Sequence, residues 1–280
     1  MRITLIGHAS LLFETRSGVL LMDPVFFDPF EEGAVASCPE RVVDLERLPE
    51  IDYLVVSHRH PDHFDIASLA RLSRDCHVLC PPDPQILYAL SRLGFGRVSA
   101  LEPRRLLSDA ELQLFPTRSE ERAVREVGLV VADGSGTVWN QVDTILSLPT
   151  IQEIAARFGT VDVLLARYAS QNFDFFESRV TAFPYEEHQR NLETVLAVRP
   201  RVVVPGSAGF KFAGDHAWLN RYLFPVSRER FVADLNRLGS EIRWVVLRPG
   251  DVVEVGEGTV EVRPGASSFC RMIRDDTELL

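Results

Sequence analysis

A short apolar run, Asp52-Tyr53-Leu54-Val55-Val56-Ser57, delivers the chain directly into His58-Arg59-His60-Pro61-Asp62-His63. So brief and nearly continuous an apolar stretch reads as a strand buried on both faces. A loop leaving the end of such a strand lets side chains of alternating direction converge on one point. Imidazole and carboxylate donors suit zinc, with iron or manganese as alternatives. His58 and His60 can reach one metal, Asp62 and His63 a second, and Pro61 stiffens the loop between them. Three of the seven histidines of the chain fall in this segment, beside a carboxylate, which argues against a chance polar loop.

The surrounding pattern alternates strands and helices. Ile3–Ile6 and Ser10–Glu14 read as a hairpin pair, and Gly18–Pro24 as an apolar strand ending in an Asp-Pro turn signal. Helical spacing is expected at Asp65–Ser73, Pro84–Leu93, Pro149–Phe158, Glu186–Val198 and Ser227–Leu238. Further strands are expected at Cys76–Cys80, Glu111–Phe115, Gly128–Ala132, Thr137–Asn140, Val161–Ala166, Arg201–Pro205, Trp244–Leu247 and Val252–Val255. Strands and helices interleaved in both halves predict a layered α/β protein. With no low-complexity linker and no clear repeat, the simplest division is one domain over 1–265 and a loosely held tail over 266–280.

Composition narrows the partners. The 280 residues are 46% hydrophobic and 25% charged, enough apolar material for a large core. Thirty basic against 40 acidic residues give a net charge of −10, with no electrostatic footprint for nucleic acid or anionic lipid. No apolar run approaches the roughly 20 residues that span a bilayer, and Met1–Gly7 lacks the pattern of a signal peptide. The expectation is a cytoplasmic protein acting on a small molecule, with homo-oligomerisation left open. Cys38, Cys76, Cys80 and Cys270 match no disulfide framework and no common zinc module, so a structural role is expected.

The run Ser57–Asp65 resembles the His-x-His-x-Asp-His signature of the metallo-β-lactamase superfamily. Ile6-Gly7-His8-Ala9-Ser10 and Leu20-Leu21-Met22-Asp23-Pro24 look like elements of its lactonase-like and phospholipase-D-like branch. The resemblance implies a four-layer αββα sandwich in which Asp23 packs beneath the metal loop and orients a ligand histidine. It also implies a metal-bridging role for Asp143, in Asn140-Gln141-Val142-Asp143-Thr144; the alternative is a helix-capping aspartate. For His8, a hydrogen-bonded strand histidine weighs as much as a functional one. Later segments, Arg199–Pro205, Ala208-Gly209-Phe210, His216 and Pro249-Gly250-Asp251, look like the corresponding part of CMP-N-acetylneuraminate hydroxylase-type proteins. The Cys-x-His and Cys-x-x-His pairs of the Rieske domain that many of those carry are absent, implying a stand-alone relative.

Two histidines of a complete superfamily site are missing. Pro116-Thr117-Arg118-Ser119-Glu120-Glu121 stands where one is expected, and Pro205-Gly206-Ser207-Ala208-Gly209 where the other is expected. No histidine occurs between His77 and His188. Glu120, Glu121, His188 and His216 are the available substitutes; His216 is the preferred one, whereas His188 reads as a surface residue at a helix start. Arg118 could clamp an anionic substrate group by paired hydrogen bonds, or be a solvated loop arginine, and Arg167 is a second orienting group. The aromatic run Tyr168–Phe176 reads as core or as pocket lining.

Three functions remain. The first is a metal-dependent hydrolase of a small polar or anionic substrate, with one or two zinc ions. His58, His60, Asp62, His63, Asp143 and His216 are its metal candidates, and Asp62, Asp143 and Arg118 its catalytic ones. The second is an iron-dependent oxidoreductase on the same residues, and the third a non-catalytic member with a degenerate site.

Overall fold

The computed structural model describes residues 1–239 and 241–275. Among these, two large sheets face each other. The first runs, in spatial order, Thr259–Arg263, Val252–Gly256, Arg2–Gly7, Ser10–Thr15, Gly18–Met22, Tyr53–Val55, His77–Cys80 and Val98–Ala100. The second runs Arg243–Trp244, Val202–Gly206, Val163–Arg167, Gly136–Asn140, Val127–Asp133, Leu112–Arg118 and Leu107–Asp109. Each sheet is antiparallel at one side and parallel at the other.

Alternation along the strands produces three apolar layers. Leu20, Met22 and Val55 point into the space between the sheets, where they meet Leu129, Val138, Val163 and Val204 of the second sheet. Leu21, Leu54 and Val56 point the other way, onto Leu69, Ile86 and Leu90. On the far face, Val130, Trp139 and Leu164 pack against Ile151, Ile154, Val195 and Phe231. These partners lie on the helices Ile66–Leu69, Pro84–Leu93, Leu148–Phe158, Tyr185–Val198 and Arg228–Arg237. The order helix, sheet, sheet, helix is the expected αββα sandwich. Burial on both faces is why the central strands carry no polar alternation.

Most expected elements fall where the pattern put them, with shifted ends. The helix expected over Asp65–Ser73 is helical only at Ile66–Leu69. Asp65 caps its start, accepting from Ser68 N. The Arg74 guanidinium donates to the carbonyls of Leu69 and Ala70 at 3.0 and 3.1 Å and to that of Leu72, which stops the helix early. The strand expected at Trp244–Leu247 forms only at Arg243–Trp244. His188 is not a surface residue. It is 6% exposed, with Nε2 3.0 Å from Asp234 Oδ2 on the neighbouring helix. All four cysteines are buried free thiols, and burial pushes that of Cys80 up to about 12.

The segment after Gly265 is not loosely held. Cys270–Arg274 pairs antiparallel with Glu40–Val43, and Phe269 and Cys270 are buried in the helix-side core of the first sheet. Residues 276–280 of the expected tail lie outside the described residues. No described helix is long and apolar enough to cross a membrane.

Phe269→Ala is expected to destabilise the fold by about 3–5 kcal/mol, the usual cost of emptying a buried phenylalanine site. Urea unfolding reads it, and an unchanged midpoint would return this segment to the status of a loose tail.

Candidate metal centre

The parallel strands of both sheets end at one rim of the sandwich, the edge where open α/β sheets bind ligands. Gly18–Met22 ends in Asp23, Tyr53–Val55 runs into Ser57 and His58, and Gly136–Asn140 leads to Asp143. Asp23 adopts φ +46°, an uncommon backbone for a residue other than glycine. This turns its carboxylate under the histidine loop, where it is fully buried.

That carboxylate accepts three hydrogen bonds. Its Oδ1 accepts Ser57 N–H at 2.7 Å, and its Oδ2 accepts the Ser57 hydroxyl at 2.6 Å and His63 Nδ1 at 2.9 Å. An aspartate only accepts, so His63 carries a proton on Nδ1, and its Nε2 is the nitrogen left to offer a lone pair to a metal. Ser57 has given its proton to Asp23 and therefore accepts at Oγ from His58 Nδ1, 2.9 Å away. His58 is thereby also fixed with a bare Nε2. One carboxylate sets both rings, directly and through a serine.

The bare nitrogens converge. His58 Nε2 lies 2.9 Å from His60 Nδ1 and 3.7 Å from Asp143 Oδ2. His63 Nε2 lies 3.2 Å from the same Asp143 oxygen and 3.6 Å from Asp62 Oδ2. Two groups result, His58/His60/Asp143 and His8/Asp62/His63, each with donor atoms within 4.8 Å of one another. Asp143 stands between them. His63 Nε2 is buried with no hydrogen-bond partner, a state a divalent cation would relieve. The donor set and this orphaned nitrogen together fit a metal.

The Asp143 loop is tightly held. Val142 is fully buried in the inter-sheet core at φ +55°, a strained backbone for a β-branched residue. Asn140 Oδ1 accepts Val142 N–H at 3.1 Å, and the Gln141 side chain bridges Thr144 O and Arg167 N. Asp143 caps no helix, since Ser147 caps the following one.

His8, left open by the sequence, enters the site as a proton donor. Its Nδ1 accepts Gly209 N–H at 3.1 Å, so its Nε2 carries the proton and donates to Asp62 Oδ2 at 3.1 Å. A Cβ on Gly209 would lie 2.8 Å from the His8 backbone, which reserves that position for glycine. His8 therefore steadies Asp62 rather than offering a lone pair.

Electrostatics follow from burial and proximity. Burial, reinforced by His63, drives His58 down to about 3. Burial alone would lower His63 as well, but Asp62 and Asp143 reverse this and hold it well above the ordinary histidine range. Burial would raise both of these aspartates; His63 instead keeps them below the usual carboxylate range. Glu126, missed in the sequence, is buried and accepts the Ser119 hydroxyl; burial raises its carboxyl, with Asp143 adding to the shift. Its position just before the strand Val127–Asp133, as an isolated acid entering an apolar run, was the available signal.

Other expected residues stand apart. Arg118 ends its strand exposed, opposite Val127, and does not line the cleft over the centre. Ser119 donates to Glu126 and accepts Ile145 N–H, folding the loop so that Glu121, Ala123, Val124 and Glu126 face the cleft instead. Arg167 does line it, paired with Glu187. His216 is exposed in the turn Gly214–Leu219 and belongs to neither ligand group. The aromatic run divides. Tyr168 is buried with its hydroxyl on Ala208 O, Phe175 joins a small apolar cluster, and Phe173 lines the cleft.

A histidine loop at the strand ends of an αββα sandwich, with a second-sheet aspartate opposite, coincides with a family match. Residues 2–206 match the β-lactamase superfamily domain. The chain belongs to the metallo-β-lactamase superfamily. A Mycobacterium tuberculosis protein named for a Rieske 2Fe-2S iron–sulfur centre is 31% identical over 210 residues, which are 69% of this chain and 40% of that one. The chain thus spans well under half the length of this curated relative. Isothiocyanate hydrolase from Delia radicum gut bacteria superposes with a TM-score of 0.64 at 17% identity, over 91% of this chain and 99% of its own. CmlA, a diiron β-hydroxylase from Streptomyces venezuelae, gives 0.61 at 18% identity, over 94% of this chain and 54% of its own. At such identities the likeness is one of fold.

Asp23→Asn keeps the shape but offers an NH2 group where two protons are accepted. Metal affinity is expected to fall about 10–100-fold, the usual effect of losing a group that orients ligands. Titration with a competing chelator reads it, and unchanged affinity would remove Asp23 from the centre.

Proposed function

We propose that the chain is a metal-dependent hydrolase of a small substrate, built on two cation positions that share Asp143. The observation that carries this reading is the pair of ligand groups, each turning one histidine nitrogen, of His58 or of His63, toward the same Asp143 oxygen. His58, His60 and Asp143 would hold one ion, and Asp62, His63 and Asp143 a second. Metal bound there supplies Lewis acidity toward a carbonyl or phosphoryl oxygen and a water acidified to near neutral pH. Asp62, steadied by His8, accepts a proton from the attacking water. A cleft of about 560 Å³ over the centre has the size of a small-molecule site. Isothiocyanate hydrolase offers a precedent for hydrolysis on this fold.

A second reading, an iron-dependent oxidoreductase, is favoured by a specific feature. The cleft to which both gap segments contribute, through Glu121 and through Gly206 and Ser207, also carries Glu126, and harder oxygen donors suit iron and manganese better than zinc. The Rieske-named relative and the diiron hydroxylase point the same way. A non-catalytic role would require the bared His63 nitrogen to stay without a ligand.

Elemental analysis of protein purified without an affinity metal separates these readings. One or two equivalents of zinc, reduced in His60→Ala, support hydrolysis; bound iron turns the assignment to oxidation. Absence of any tightly bound metal defeats both.

Metal uptake also has a proton signature. Asp62 and Asp143 raise the pKa of His63 in the ion-free protein, so metal competes with a proton for its Nε2. Binding is expected to release protons and to strengthen as pH rises. Calorimetry in buffers of different ionisation enthalpy measures this, and zero release would contradict it. For the ion-free fold the sign is opposite: the stability that His63 adds is present below about pH 6.5, its unfolded pKa, and fades as pH rises through the folded value.

A further inference from the structure

The cleft over the centre, which His60, Asp62 and Asp143 help to line, combines acidic and apolar groups. Its carboxylates are Glu31, Asp62, Glu121, Glu126, Asp143 and Glu187. Against these six carboxylates the lining holds a single arginine, Arg167, and it is already paired with Glu187. Of the arginines on neighbouring loops, Arg59 lies 3.5 Å from Asp83, Arg125 donates to the Pro82 carbonyl, and Arg122 does not line the cleft. In formal charges, two divalent cations would still leave the lining one unit negative. Its larger apolar groups are Ile145, Phe173, Phe210 and Phe212. Phe173 stacks on Phe176 with ring centroids 6.4 Å apart and is 58% exposed, so it forms an open aromatic wall at the mouth.

Resting on the metal-centred reading above, the geometry points to a substrate with an apolar, aromatic-sized body and a cationic amino group. An anionic substrate does not match this lining. Low-dielectric walls lined with one sign of charge concentrate ions of the opposite sign. A carboxylate or phosphate group would meet uncompensated carboxylates wherever it extends beyond the metal ligands. An ammonium group gains from the same residues, and the faces of Phe173 and Phe210 offer it further attraction. The anionic substrate expected from Arg118 loses its basis, because that arginine is not in the lining.

Three probes of one shape test this: 2-phenylethylammonium, 2-phenylethanol and 3-phenylpropionate, titrated into the metal-loaded and the metal-free protein. The ammonium is expected to bind at least about fivefold more tightly than the alcohol in both forms, with the advantage shrinking at high salt. Glu187→Gln, a residue in neither ligand group, should reduce that advantage at unchanged metal content. Phe173→Ala should weaken the ammonium and the alcohol alike. Equal binding of ammonium and alcohol, or tighter binding of the propionate, overturns the proposal even when metal content is intact. A protein that takes up no metal yet keeps the ammonium preference defeats the metal-centred reading alone.

Discussion

The Asp23 carboxylate is the constraint on which the site depends. Buried, it spends three of its roughly four acceptor positions on Ser57 N, Ser57 Oγ and His63 Nδ1. Its whole effect is to decide where the protons of two other rings reside. Because that decision is made beneath the loop, both bare nitrogens face outward together. An imidazole free to choose its tautomer would present the correct nitrogen only part of the time.

The sandwich is arranged around that constraint. The first sheet supplies Asp23 and the histidine loop from adjacent parallel strands, and the second supplies Asp143 from the end of Gly136–Asn140. Strain at Val142 is tolerated because its side chain anchors in the inter-sheet core while its neighbour reaches the rim. The closely packed interior thus holds a geometry that the loop would not keep alone.

What the sequence disclosed was local. The histidine loop was legible because its ligands crowd into six positions after a strand, and Asp23 because Leu20–Pro24 resembles an element of the family. Pro84–Leu93 was legible to the residue, having Asp83 as its cap and Gly94 as its stop. What escaped depends on long-range partners. His8 acquires its role from Gly209, 201 positions away, and no pattern around either residue announces it. Glu126 becomes chemically distinct only when Ser119 folds back upon it. Arg118 and His216 suited the expected gaps by position, but the loop after Arg118 turns other residues inward and His216 follows a strand paired with Val35–Ser37. The strand Cys270–Arg274 was hidden because its edge partner, Glu40–Val43, is itself short and polar.

The bond between Gly209 and His8 has a consequence for how this protein comes into being. A ribosome that has released the first 150 residues has made the histidine loop and Asp143, but the proton donor to Asp62 has no anchor until the chain is some 60 residues longer. The Asp143 loop waits too, because Arg167 N and the valines of the later strands hold it. Completion of the centre is thereby tied to closure of the second sheet.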